Sequence, residues 1–284
     1  MVSCQSHLLS IIMRFSLVQQ ETRHERAMTT YDFGRHSDDY ATYRPGPPAS
    51  LYERLDALAP IQGTSALDLA TGPGTIALEL ATRGSAVVGV DISEQQIATA
   101  HRVAEERGLE DRAKFVIASA ENTGLAPGSF DIATAGQCWH WFDSDSAMAE
   151  TMRVLRPGGV LAVIYHTYLA EHSPVAKDTE ELVLEFNPSW TMAGWSGIFS
   201  ERIDELIRGG FEMIEQFCYH HDEEFSHARW RGRMRTCSGV GSGNLSPPEV
   251  QRFDEALTEL LRRKYPDPMV VEYRVWCVVV RKPG

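Results

Sequence analysis

Cysteine is scarce in this chain. Cys4, Cys138, Cys218, Cys237 and Cys277 are the five in 284 residues, an odd number and widely spread. No two have metal-ligand spacing, so a zinc module and a disulfide framework are both excluded as organising principles. A reducing, cytoplasmic setting is the expectation. Long apolar runs are missing too: the candidate, Leu8 to Val18, has 11 residues with Arg14 inside it, too short to span a bilayer. It lacks the flanking positive charge and cleavage site of a secretory signal, and Glu21 and Glu25 argue against a mitochondrial presequence. Residues 1–28 read as a tail, disordered or not native, with Met28 as an alternative start. Positive charge is in deficit, 27 Lys and Arg against 39 Asp and Glu, a formal net charge of −12. That balance excludes nucleic acid and an anionic membrane surface as partners unless a local basic patch intervenes. Repeats and low-complexity tracts are absent from the sequence.

What is there is an ordinary globular composition, 43% hydrophobic, enough for a sizeable core. From Leu51 onward, short β-branched runs alternate with helix-length amphipathic stretches. "SALDLA" reads as a strand, followed by a helix over Thr75–Thr82. "AVVGVD" is a strand, followed by a helix from Ser93, where Ser-x-x-Gln forms a capping box, to Arg107. "AKFVIAS" and "SFDIATAG" are strands three and four. A helix from Asp143 to Leu155 leads to "VLAVIYH", strand five. Such alternation implies right-handed βαβ crossovers and a parallel sheet. "FEMIEQFCYHH" reads as strand six, helices cover 227–238 and 247–264, and "MVVEYRVWCVVVRK" is a last strand whose direction the loop length leaves open.

The turn after strand one carries the first chemistry. Asp68 precedes Thr71-Gly72-Pro73-Gly74, and Asp91 ends strand two. Glycines there let backbone approach a ligand at the C-terminal edge of the sheet, and an acidic side chain at the end of strand two accepts hydrogen bonds from ribose hydroxyls. Two adenosine-bearing ligands fit. Gly72-Pro73-Gly74-Thr75-Ile76-Ala77 matches G-x-G-x-x-A, the dinucleotide fingerprint, with a pyrophosphate on the helix N-terminus. The rival is S-adenosylmethionine, whose ammonium suits Asp68 better than a pyrophosphate does.

The order "ALDLATGPG", "VVGVD", "SFDIATAGQCWHWFD", "LRPGGVLAV" resembles the class I S-adenosylmethionine-dependent methyltransferases over about residues 31–165. It is most similar to the small-molecule branch with ubiquinone/menaquinone-type and trans-aconitate-type enzymes. "YDFGRHSDDYATYRPGPP" resembles that branch's N-terminal lid. The resemblance implies an α/β, doubly wound, seven-stranded, mostly parallel Rossmann-like sheet as one domain over 29–284. It would carry a lid segment at 29–50 and substrate-side helical insertions at 170–200 and 222–266. It implies S-adenosyl-L-methionine as cofactor, methyl transfer to O or N of a small molecule, carboxylic acids among the candidates, and no metal. A homodimer is open to it. Tyr40, Arg44, Asp68, Ala70, Gly72, Gly74, Asp91, Ile92, Ala120, Glu121 and Gln137 would bind the cofactor. Ala70 stands where the family most often has glycine, which is tolerable if its φ is negative. Ser119 stands where many relatives carry an acidic residue facing the adenine.

Acceptor chemistry is placed in "GQCWHWFD", at the end of strand four. His140 is the imidazole there, suited to proton removal or to orienting the acceptor. Trp139 and Trp141 offer an aromatic wall. Tyr31 and Phe33 of the lid, Tyr165 and His166 at the end of strand five, and Trp195 complete the candidate substrate contacts. "ARWRGRMR" is the local basic patch; one of its arginines, Arg233, would enter the cleft and bind an anionic group of the acceptor. His220 and His221 alternate across a strand with no evident carboxylate partner. Two other readings stay in play: a methyltransferase fold that binds its cofactor without transferring methyl, and an NAD-dependent oxidoreductase. The second lacks a Tyr-x-x-x-Lys or comparable hydride-transfer constellation.

Overall fold

The computed structural model describes residues 33–243 and 245–284. The tail and Tyr31 lie outside the described residues, as does the side chain of Phe33. After a short 3₁₀ turn, Ser37–Tyr43 (α1) and Ala49–Leu58 (α2) lead into the sheet. Strand Ser65–Leu69 (β1) is buried along nearly its whole length, as expected of a parallel strand covered on both faces. It pairs in parallel with Ala86–Asp91 (β2) and with Phe130–Gly136 (β4). Ala113–Ile117 (β3) lies beyond β2, and Leu155–Tyr168 (β5) beyond β4. Helices Thr75–Thr82 (α3), Glu94–Glu106 (α4) and Ser144–Val154 (α5) provide the crossovers. The Ser93 hydroxyl accepts from the Gln96 N–H at 3.3 Å and the Asp143 carboxylate from the Ser146 N–H at 2.9 Å, capping α4 and α5.

The remainder runs Pro174–Phe186 (α6), Glu201–Arg208 (α7), Glu212–Phe225 (β6), His227–Arg235 (α8), Pro247–Lys264 (α9) and Met269–Arg281 (β7). The sheet order is β3-β2-β1-β4-β5-β7-β6, and β7 is antiparallel to both neighbours. The direction left open by the sequence is thereby fixed: β7 inserts between β5 and β6. Strand β6 continues to Phe225 because β7 pairs it residue by residue as far as Met269, so the second helical segment begins at Ser226 rather than at 222. Strand β5 starts at Leu155 because that residue, ahead of the Gly158-Gly159 turn, still pairs with Phe130. β6 is an edge strand with Glu212, Glu215, Asp222, Glu223 and Glu224 along it. No described helix is long and apolar enough to cross a membrane.

The order of crossovers reverses between β1 and β4, and the crevice outside the carboxyl ends of these strands is where such a sheet takes a ligand. The lid is seated over it by α8. A Cβ on Gly232 would run into the Tyr43 ring, so glycine at this position lets α1 dock. Arg44 donates through Nε to the Thr236 hydroxyl and through an Nη to the Thr236 carbonyl, both at 2.9 Å. Arg235 donates to Asp39 at 2.7 Å.

Candidate active site

β1 ends at Leu69 and the chain reverses at Ala70, whose φ is +46°. The negative φ that would make alanine easy here is not what the turn adopts. Gln137, directly across the crevice at the end of β4, has φ +59°. Two non-glycine residues in the left-handed region at one crevice mark backbone held out of its preferred conformation where a ligand is approached. Gly72 follows at φ +56° and Gly74 at φ +84°. Gly74 does not line the crevice: a Cβ there would meet the Phe115 ring at 3.1 Å, so this glycine serves the turn and its packing rather than touching a ligand.

Asp68 is 2% exposed and lies under the turn. It accepts hydrogen bonds from the Thr134 hydroxyl at 2.6 Å, the Thr71 hydroxyl at 2.7 Å and the Ala77 backbone N–H. Burial raises its pKa to about 6 in spite of these bonds. Ala77 belongs to the first turn of α3, so the N-terminus on which a pyrophosphate would rest already carries a buried carboxylate. Pro73 contributes no N–H to the turn. The dinucleotide meaning of the glycine pattern fails on this geometry. Asp91 ties β2 to the turn, accepting from the Gly72 and Ser93 N–H groups at 2.9 Å each, and lines the crevice with lone pairs left for a ribose diol. The donor set therefore fits S-adenosylmethionine.

One cavity runs along the strand ends. At one end it is lined by Asp91, Ala118, Ala120, Glu121 and Phe142, with Ile92 at the rim, 57% exposed. At the other end stand Tyr168, Glu180, Trp190, Met192 and Trp195, supplied by β5, α6 and the loop after it. A second lobe adjoins the cavity, lined by Pro45, Asp68, Thr71, Ile164, His166 and Tyr273. Tyr40, Arg44, Ala70, Gly72, Gln137 and Arg233 belong to both.

His140 and Trp141 line the main cavity, but Trp139 does not: it is 1% exposed, packed edge-on against Phe142 in the core. Tyr165 is likewise removed from the acceptor. It is buried, stacked on Phe199 at 3.7 Å, with its hydroxyl 3.3 Å from His140 Nδ1. The Arg202 guanidinium approaches the same hydroxyl. A phenol that accepts from a cation turns its own proton to the imidazole, which leaves His140 Nε2–H as a donor. Trp195 meets the His140 ring edge-on at 5.1 Å. Burial, and after it the Arg202 charge, lower the His140 pKa to about 3. A neutral imidazole with so little basicity is suited to orienting an acceptor, not to removing its proton.

His166 faces the second lobe rather than the acceptor end. Its carbonyl accepts from Gln137 Nε2 at 2.5 Å, fixing the amide, and its Nε2 is 2.7 Å from His221 Nε2. The fold also supplies carboxylates that sequence spacing did not: Glu223 converges with His166 and His221, and Glu272 with His172 and His220. In the first the two imidazoles are hydrogen-bonded and Glu223 stands 3.9 Å from His221 Nδ1; in the second Glu272 is within hydrogen-bond distance of both His172 and His220, and His220 Nε2 accepts from Arg274 at 2.9 Å.

The basic patch resolves into individual partners. Arg229 pairs with Glu223, Arg231 with Asp254, and Arg235 with Asp39 and Asp254. Arg233 differs. It is 6% exposed, its guanidinium lies 4.5 Å from the Tyr168 ring, and its Nε is buried without a hydrogen-bond partner among the described residues. Glu180 contacts the Tyr168 hydroxyl, and one of its oxygens accepts from the Gly194 N–H at 2.7 Å. Burial raises its pKa while that bond opposes the rise. Sequence reading passed over Glu180, because "KDTEELVLEF" offers four acidic residues on one helix and no sign of which turns inward.

Comparison with known proteins agrees with this geometry. Residues 67–163 match the methyltransferase domain family. An uncharacterized methyltransferase of Schizosaccharomyces pombe is 30% identical over 228 residues, 79% of this chain and 84% of that one. The methyltransferase GfsG of Streptomyces halstedii is 42% identical over 115 residues, 40% of each chain, so the match spans less than half of that relative's length. Among solved structures, a chain described as a type II methyltransferase from Anaeromyxobacter dehalogenans superposes with a TM-score of 0.62 at 26% identity, covering 85% of this chain and 99% of that one. With the cofactor crevice, the seven-stranded order and these relatives in agreement, the chain belongs to the class I S-adenosylmethionine-dependent methyltransferases.

Proposed function

We propose that this enzyme methylates a small molecule carrying an anionic group, held at the aromatic end of the main cavity. The observation that carries this reading is Arg233, a buried guanidinium in the cavity wall with no ion-pair partner among the described residues. A buried guanidinium with which no carboxylate pairs directly is costly, and a site that keeps one is organised for an anion. When bound, S-adenosylmethionine supplies an activated methyl group on a sulfonium. Asp91 takes its ribose hydroxyls, Ile92, Ala120 and Glu121 flank its adenine, and Ala70, Gly72 and Gln137 cradle the methionine part. Tyr40 and Arg44 close over it. Asp68 acts through the turn it holds rather than by contact.

At the acceptor end Trp141 and Trp195 form the wall, and His140 directs its Nε2–H at an acceptor oxygen. The residues contribute alignment and exclusion of water. A carboxylate or tertiary amine needs no base, in keeping with the weak basicity of His140. The test is calorimetric titration of the purified protein with S-adenosylhomocysteine and separately with NADH. Micromolar binding of S-adenosylhomocysteine alone is expected; binding of NADH alone would overturn the assignment of the crevice.

A further inference from the structure

Arg233 and Glu180 face the same end of the cavity, yet they do not pair with each other. Tyr168 touches both: its ring stacks under the Arg233 guanidinium at 4.5 Å, and its hydroxyl interacts with the Glu180 carboxylate. Arg233 also lies 5.9 Å from the Trp230 ring, interacts with the Tyr273 hydroxyl and donates weakly through Nη1 to the Met234 sulfur at 3.7 Å, but no carboxylate among the described residues forms an ion pair with it. Glu180 is 7% exposed and anchored by one oxygen to Gly194, in the loop that brings Trp190 and Trp195 to the cavity. A carboxylate has about four lone-pair sites, so this anchoring leaves acceptor capacity. This end of the cavity thus holds one cation and one anion, both buried and both in contact with the same aromatic residue.

A ligand bearing a single charge satisfies one of these groups and seals the other away from water uncompensated. A ligand bearing both charges satisfies the two together. This difference is a selection rule, because a buried charge left alone counts against the wrong ligand as much as the paired one favours the right ligand. We propose that Glu180 and Arg233 form a two-point subsite that selects a zwitterionic acceptor, an amino acid or a closely related amine carrying a carboxylate. The carboxylate docks on the Arg233 guanidinium and the ammonium on Glu180, against the flat faces of Tyr168 and Trp190. The inference rests on the functional reading above and narrows it from an anionic acceptor to one of paired charge.

The test uses the full chain, with and without saturating S-adenosylhomocysteine, titrated calorimetrically with three probes of one shape: phenylalanine, 3-phenylpropanoate and phenethylamine. Phenylalanine is expected to bind at least about tenfold more tightly than either singly charged probe, the factor set by one charge-assisted hydrogen bond. Glu180→Gln, which keeps size and anchoring, should weaken phenylalanine and tighten 3-phenylpropanoate, bringing the two to one level, because the carboxylate that 3-phenylpropanoate leaves uncompensated is gone. Arg233→Lys should weaken phenylalanine and 3-phenylpropanoate together and spare phenethylamine. Equal or tighter binding of 3-phenylpropanoate in the unsubstituted protein overturns the proposal, as does binding of none of the three. Failure of S-adenosylhomocysteine to bind is a separate result: it sinks the cofactor assignment, while the probes on the ligand-free protein still judge the subsite.

Discussion

At the scale of single residues, the crevice is shaped by side chains that hold backbone rather than by those that reach a ligand. Ala70 is the sharpest case. In the left-handed region a Cβ costs about 1 kcal/mol, against the roughly 0.5–1 kcal/mol of extra chain entropy that glycine loses on folding. Ala70→Gly is therefore expected to leave the urea midpoint unchanged or to raise stability by up to about 0.5 kcal/mol. Ala70→Val, β-branched at the same φ, should lower it by more than that. The glycine turn and the two flanking aspartates were legible in the sequence because spacing alone carries them. The sign of φ at Ala70 was not, since a single dihedral is decided by Asp68 beneath the turn, Asp91 beside it and Gln137 opposite. Trp139 and Trp141 show the same limit: two residues apart on a 3₁₀ turn, one goes into the core and the other into the cavity, and composition does not distinguish them.

At the scale of elements, β1 to β5 and their helices follow from alternation, because each strand buried on both faces reads as a short continuous apolar run. The far half of the sheet was less legible. A 13-residue last strand can enter a sheet from either direction, and only its pairing with both β5 and β6 decides. The clasp between α1 and α8 depends on two surfaces far apart in sequence. Its weak point is Gly232, which leaves room for Tyr43. Gly232→Ala should push α1 off α8 and disturb the Arg44–Thr236 bonds. Helix propensity by itself would favour the alanine, by about 1 kcal/mol. The expected signature is thus a protein that keeps most of its thermal stability yet binds S-adenosylhomocysteine at least about tenfold more weakly by calorimetry. Unchanged affinity would show that the lid is not seated by this contact.

At the scale of the whole molecule, buried titratable groups set how folding responds to acid. His140 and His166 are both held near a pKa of about 3 by burial, below the ordinary value of 6.5, so each contributes stability that is fully present above pH 6.5 and is lost as pH falls toward 3. Asp68, raised to about 6 from 3.8, works the other way: its burial favours the folded state more as pH falls through 6. Between pH 6 and pH 4 two protons taken up by the unfolded chain oppose one taken up by the folded chain. For these three groups the net slope is a loss of about 1.4 kcal/mol per pH unit on acidification. Denaturant unfolding of the ligand-free protein across this range checks the sign. Stability that rises toward pH 4 would mean that Asp68 dominates, and Asp68→Asn should then remove the rise.

The acidic edge of β6 has a meaning for how copies of this chain meet. A strand at the end of a sheet offers unpaired backbone groups, and two such edges can zip into one continuous sheet across a dimer. Here, at neutral pH, the approach of a second copy would bring five carboxylates against five more along the 14 residues of that strand. Like charges set directly opposite one another repel in such a ladder. Sheet extension through β6 is therefore disfavoured at neutral pH, whereas the opposite edge strand, β3, leaves Val116 and Ile117 exposed.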